Sequence, residues 1–282
     1  EIVRVDPRTP EEFDLGTPFV AMVVDGGSLD VERAAFFDAP AVVAGRRAFD
    51  ARLVDLTVSR STCEPFAFGP GPVRRGLDLG LRDDRRCEGV LYPQSYGYPH
   101  APEDYLESFS VRLDGVWARS AGLAGPFRNE LQVVGTGRFS ARDVRFVRTT
   151  SRGLLAQGDV RLDVERASFE NPGVQGACFF PAVRLEPTPD LGFGAANPSG
   201  TLDRVRSLDM DVGYVQLVLP DVEPDVDIRG LTVQGARQGI VRARASDRTF
   251  GVPLDLGDFL VGNVFLDIED DLQGPTPNQS CD

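Results

Sequence analysis

The chain has 282 residues and a formal charge of −13. That balance argues against nucleic acid and anionic membrane surfaces as partners, because phosphate binding needs a clustered positive field. No run of about 18 apolar residues exists, so no membrane-spanning segment is expected.

Residues 1–17 read as an N-terminal cap or extension. Beyond them a short phrase recurs eight times: apolar, small polar or acidic, apolar, Arg or Glu, any, apolar, any, apolar. Copies start at Leu29, Phe49, Phe109, Phe139, Leu162, Val226 and Phe259, with a poorer one at Val205. The six residues Leu29 to Ala34 return identically at Leu162 to Ala167. Alternation over the first positions is the period of a strand with one buried face. The unconstrained positions in mid-phrase interrupt it, so the chain bends there before a second short strand. A Gly-led third strand follows, as at Gly76-Leu77, Gly122-Leu123, Gly153-Leu154, Gly176-Ala177 and Gly239-Ile240. Leu29 and Phe49 are 20 residues apart, and Phe139 and Leu162 are 23 apart, a period at which each unit must stack on its neighbours to bury its apolar face. Wider gaps fit a repeat plus a loop, with insertions at 59–75 and 88–105 and a C-terminal tail at 271–282.

With these residues in view, the chain resembles the right-handed parallel β-helix repeat proteins of the pectate-lyase-like superfamily over roughly residues 18 to 270. The resemblance is one of pattern. It implies an all-β fold: a single β-solenoid domain over 1–282, of about eight to ten coils rising ~4.8 Å each. The alternative is an antiparallel β-sandwich, which also yields many short strands at regular spacing. In the solenoid register Val31, Ala51, Ala141, Val164 and Ile228 share one core column, and Phe36, Leu56, Phe146, Phe169 and Val233 share another.

Stacking also creates polar columns. Position two is Asp30, Asp50, Ser110, Ser140, Asp163 and Asp227; position four carries Arg52, Arg112, Arg142 and Arg229, with Glu32 and Glu165 interspersed. The Asp column reads as a solvated face whose arginines, two residues away, offset like charges; Ca2+ is the cofactor it would suit if it bound one. Families of this fold include enzymes that cut acidic polysaccharides, and the resemblance makes a polysaccharide lyase or glycoside hydrolase of the parallel β-helix type the alternative function. Their Gly-His-Gly and Arg-Ile-Lys segments are absent and the chain has no Lys. If it is an enzyme, the carboxylates with suitable spacing are Asp209 and Asp211, and Asp225 and Asp227, each pair able to point the same way from one strand.

The segment 88–105 holds four of the five tyrosines, Tyr92, Tyr96, Tyr98 and Tyr105, and the single histidine, His100. Exposed aromatic rings are what sugars and partner proteins bind. The ligand-binding candidates are therefore these four tyrosines with His100, Glu103 and Arg112; the structural alternative is a loop that covers apolar surface. Cys63 and Cys87 flank an insertion and are expected to form a disulfide worth about 3 kcal/mol. Cys178 and Cys281 then pair by elimination, with buried free thiols as the other reading. A chain opening on Glu1 is read as a processed form whose signal peptide has been removed. The expected function is a non-catalytic extracellular or cell-envelope scaffold, assembly subunit or glycan-binding surface. Its partners would be a glycan or other envelope or assembly proteins.

Overall fold

The structure is a computed structural model describing residues 20–37, 41–59, 66–68, 108–119, 129–148, 152–171, 181–187, 196–219, 225–246, 249–269 and 271–273. Its strands fall into successive three-part repeats. The first two are β1 (Val20–Glu32) with β2 (Ala35–Phe37), and β3 (Ala41–Val54) with β4 (Thr57–Ser59). The third is split into β5 (Phe66–Phe68), β6 (Ser108–Asp114) and β7 (Trp117–Arg119). Next, β8 (Asn129–Val147) and β9 (Arg152–Glu170) each run unbroken through a repeat. Then follow β10 (Pro181–Glu186), β11 (Ser199–Asp203) and β12 (Arg206–Leu208), and β13 (Val212–Val218), β14 (Asp225–Arg229) and β15 (Thr232–Gln234). The described chain ends with β16 (Gln238–Ser246), β17 (Thr249–Pro253), a 3-10 turn at Gly257–Leu260, β18 (Val264–Leu266) and β19 (Asp271–Gln273).

The protein is all-β, with one long parallel sheet of many strands that does not close into a barrel, an arrangement compatible with a β-solenoid. Every pairing among the described residues is parallel except the β16–β17 hairpin, which sets aside the antiparallel sandwich. Three rows can be followed from repeat to repeat. The first runs Met22, Val43, Phe66, Leu131, Leu154, Val183, Tyr214, Ile240. The second runs Leu29, Ala51, Val111, Phe139, Leu162, Gly200, Val226. The third runs Phe36, Val58, Ala118, Phe146, Phe169, Ser207, Val233, Phe265.

These pairings correct the frame of the repeated phrase. The copies expected at Phe49 and Phe109 begin two residues later, at Ala51 and Val111; because a strand's period is two, the shift keeps the same face buried and leaves the alternation unchanged. Ala51 thus stacks with Leu29, and Leu53 takes the place beside Val31. Leu56 belongs with Ala34 and Val116, and Val58 occupies the column of Phe36. The copy expected at Val205 begins at Gly200, whose φ of +112° and whose close approach to the Leu162 carbonyl, 2.1 Å from where a Cβ would sit, admit only glycine. At Phe259 the expected strand is the 3-10 turn instead, and Phe265 occupies the core column.

The bend sits at the fifth position of the corrected phrase. Arg33, Asp55, Gly115, Asp143, Arg166, Arg204, Gly230 and Gly262 all have positive φ there, 52–57° for the non-glycines. The left-handed residue turns the chain without losing a hydrogen bond, because its N–H still reaches the next repeat: Arg33 to the Val54 carbonyl at 2.9 Å, Asp55 to Asp114 at 2.8 Å, Gly115 to Arg142 at 3.0 Å. Glycine leads the third-strand segments for a different reason. A Cβ on Gly153 would lie 2.6 Å from the Phe169 ring, and one on Gly213 would lie 2.4 Å from Val233.

The core is continuous. Leu53, Leu113, Phe139, Phe146, Phe169, Val183 and Val233 are almost fully buried in one cluster, each worth roughly 1.5–3 kcal/mol of burial. Rows two and three follow the expected one-sided alternation, as in Ser108–Asp114. Row one does not: Val212–Val218 is buried at every position, and Val212, Val215, Leu217, Val241 and Ala243 form a second apolar cluster. The sequence Val-Gly-Tyr-Val-Gln-Leu-Val is the near-continuous apolar run of a strand covered on both sides. Tyr214 of β13 stacks on Phe259 of the 3-10 turn with centroids 5.4 Å apart, and the Arg242 guanidinium lies 4.6 Å from the Phe259 ring centre. Burial pushes the Tyr214 phenol well above its usual range.

Candidate functional site

A shallow concavity of about 900 Å³ crosses five successive repeats where row one turns into row two. Its floor is the column Gly27, Phe49, Phe109, Gly137. The side chains of Phe49 and Phe109 are buried in the core beneath it and stack at 5.6 Å, so the floor is firm. Gly137 is required by close packing, since a Cβ there would fall 2.4 Å from the Phe109 carbonyl oxygen and 2.8 Å from its buried ring.

The rim is polar. One edge is the column Ser28, Asp50, Ser110, Arg138, Arg161; the other is Ser108, Thr136, Asp159. Hydroxyls and carboxylates on these columns can accept and donate to a hydroxylated ligand, and the guanidiniums can donate to an anionic one. Arg138 and Arg161 are direct ladder partners, both exposed, and neither is in an ion pair among the described residues.

Most arginines on the neighbouring columns are committed. Arg52 binds Asp30 at 2.8 Å across two repeats, Arg142 binds Glu165 at 2.9 Å, and Arg204 binds Glu165 at 2.6 Å. Arg166 holds both Asp143 oxygens, at 2.6 and 2.8 Å, and that hydrogen bonding keeps the Asp143 carboxyl below the usual carboxylate range. The polar columns therefore differ from the expected stack of aspartates. Asp30 lies against Arg52, Ser140 against Asp163, and Asp114 against Arg142, while Arg52 also lies against Arg112 and Glu165 against Asp203. Among the described residues no group of three or more acidic, His or Cys side chains is placed to hold a metal ion.

Of the expected site residues, Arg112 lies on β6, exposed and bound to Asp114 at 3.0 Å; it does not line the concavity, though Ser108 and Ser110 on the same strand do. Asp209 and Asp211 do not share a strand as expected. Asp209 occupies a left-handed corner with φ 52° after β12, and Asp211 precedes β13, where Arg237 binds it at 2.8 Å. The physical reason is again the bend, which breaks the period of two between them. Asp225 and Asp227 do share the exposed face of β14, and Asp227 is bound by Arg229. Tyr92, Tyr96, Tyr98, His100, Glu103, Tyr105 and all four cysteines, Cys63, Cys87, Cys178 and Cys281, lie outside the described residues. Sequence reasoning passed over Arg138 and Arg161, although each stands immediately before a copy of the phrase, at Phe139 and Leu162.

No protein-family profile, curated protein or solved structure matches the chain. The site's chemistry has to be read from its own residues.

Proposed function

We propose that the chain is a right-handed parallel β-helix of about eight to ten coils, acting outside the cell or in its envelope as a non-catalytic scaffold or assembly subunit with a glycan-binding surface. The handedness follows the rule that parallel crossover connections are right-handed in about 98% of cases. The single observation that carries the binding role is the concavity: a floor backed by core-packed phenylalanines between rims of Ser, Thr, Asp and Arg, open along five repeats. Sugars present a fringe of hydroxyls, and a polar rim of this kind matches it. The strand that enters the concavity at Ser108 is the one reached directly from segment 88–105, only three residues after Tyr105. An assembly role is supported by the final repeat, where Val261, Val264, Leu266 and Leu272 are exposed apolar side chains.

The testing experiment is a glycan array followed by titration calorimetry on the best hit. Binding that weakens at least about tenfold in a Ser110→Trp variant, which fills the concavity, with an unchanged melting temperature, supports the reading. Failure of every glycan to bind removes the glycan role. The enzymatic alternative, a lyase or hydrolase, rests on Asp225 and Asp227, the one candidate pair on a common strand face; release of reducing ends or unsaturated products from a polysaccharide would favour it.

A further inference from the structure

We infer that Arg138 and Arg161 form a subsite for a tetrahedral oxyanion, a sulfate or phosphate ester carried on the ligand. The inference rests on the glycan-binding reading and names the chemistry its ligand must carry. The two residues are partners in the β8–β9 ladder, so their Cα atoms are about 4.8 Å apart and their side chains leave the same face.

Like charges directly opposite each other weaken a sheet. Elsewhere in this protein the opposed arginines are neutralised by acids: Arg142 faces Glu165, and Arg52 and Arg112, also directly opposite each other, are each ion-paired, to Asp30 and to Asp114. Here the neighbours on the same column are Ser110 and Ser199. Along its own strand Arg161 stands between exposed Asp159 and Asp163, yet it is ion-paired with neither. Two guanidinium forks without an ion pair among the described residues therefore stand side by side at the edge of a concave surface, in a protein whose overall charge is −13. At physiological ionic strength fields are screened within about 8 Å, so the local pair governs what sits on it.

Geometry selects the anion. A planar carboxylate has two oxygens and is satisfied by one guanidinium fork. A sulfate or phosphate ester offers three terminal oxygens in a tetrahedral array, and can take bonds from both forks at once. Asp50 and Asp159 on the rim then accept hydroxyl protons from the same sugar, which orients the ester toward the arginines and away from the carboxylates.

Titration calorimetry of the full chain at low ionic strength tests this with four probes: a sulfated oligosaccharide, its phosphorylated counterpart, their neutral parent, and an oligouronate of equal length. The expected result is binding of at least one ester, with the neutral parent weaker by about tenfold or more. Arg138→Ala with Arg161→Ala removes that advantage without lowering the melting temperature, and single Lys replacements restore only part of it, since an ammonium lacks the fork. The ester that binds more tightly identifies the modification. Retention of ester binding by the double Ala variant overturns the subsite, as does an oligouronate that binds equally well. If the neutral parent binds wild type and double variant alike and an ester adds nothing, the glycan surface stands and the subsite falls. If no probe binds, both fall.

Discussion

Truncating Phe146 tests the stacking register most directly. The ring is completely buried, and it stacks on Phe169 of the next repeat with centroids 5.4 Å apart and planes 13° from parallel. Removing a buried Phe side chain costs about 3–5 kcal/mol. At roughly 2–4 °C per kcal/mol for a domain of this size, Phe146→Ala should lower the melting temperature by about 6–20 °C in a thermal-shift or calorimetric experiment. Phe169→Ala should do the same. The double variant should lose less than the sum, by about 0.5–1.5 kcal/mol, because the stacking contribution can be lost only once. Phe37→Ala is the control: its ring is 47% exposed beside fully buried Phe36, and its loss should shift melting little. Shifts below about 2 °C for both Phe146→Ala and Phe169→Ala would refute the column, since no buried ring of that size is removed so cheaply.

The remaining expectations concern single sites. Ser207 is buried in the same column between Phe169 and Val233 with its hydroxyl unpartnered, so Ser207→Ala should raise stability by about 1–3 kcal/mol, measured by urea denaturation; a loss would show that the hydroxyl has a partner. At the corner, Gly115→Val should cost about 1–2 kcal/mol, since φ is +64° and a Cβ would meet the Asp55 carboxylate at 2.6 Å; an unchanged melting curve would remove the strain argument. Asp143 has a depressed folded-state pKa. Its contribution is therefore present above the unfolded pKa and is lost as pH falls through the folded one; an NMR titration should place its midpoint below that of a free Asp, and Arg166→Ala should return it there. Outside the described residues, non-reducing peptide mapping should recover Cys63 linked to Cys87, and free thiols on both would remove that bond and weaken the extracellular assignment.

The three-strand repeat was legible because apolar alternation and its interruption survive in nearly every copy. The frame was less so. In Phe49-Asp50-Ala51-Arg52-Leu53 either Phe49 or Ala51 can open the phrase, and a slip of two residues leaves every side chain on its own face. The corner that would have fixed the frame is hidden, because Arg33, Asp55, Asp143, Arg166 and Arg204 adopt a backbone conformation that a reader assigns to Gly or Asn. Gly200 concealed a copy for the converse reason, standing where an apolar residue was sought. The candidate site was missed through the same framing. Arg138 and Arg161 fall one residue ahead of the phrase, so their adjacency emerges only once β8 is laid against β9.

At the far end of row two, β14 pairs with β11, and no described strand follows it, the 3-10 turn having replaced the next one. An open strand edge is a template for another chain. Here the exposed positions of that edge are Asp225, Asp227 and Arg229. Were two molecules to meet edge to edge in parallel register, their carboxylates would face one another, and the sheet could lengthen only against that repulsion. The charged edge thus favours discrete molecules over edge-to-edge pairing at this end.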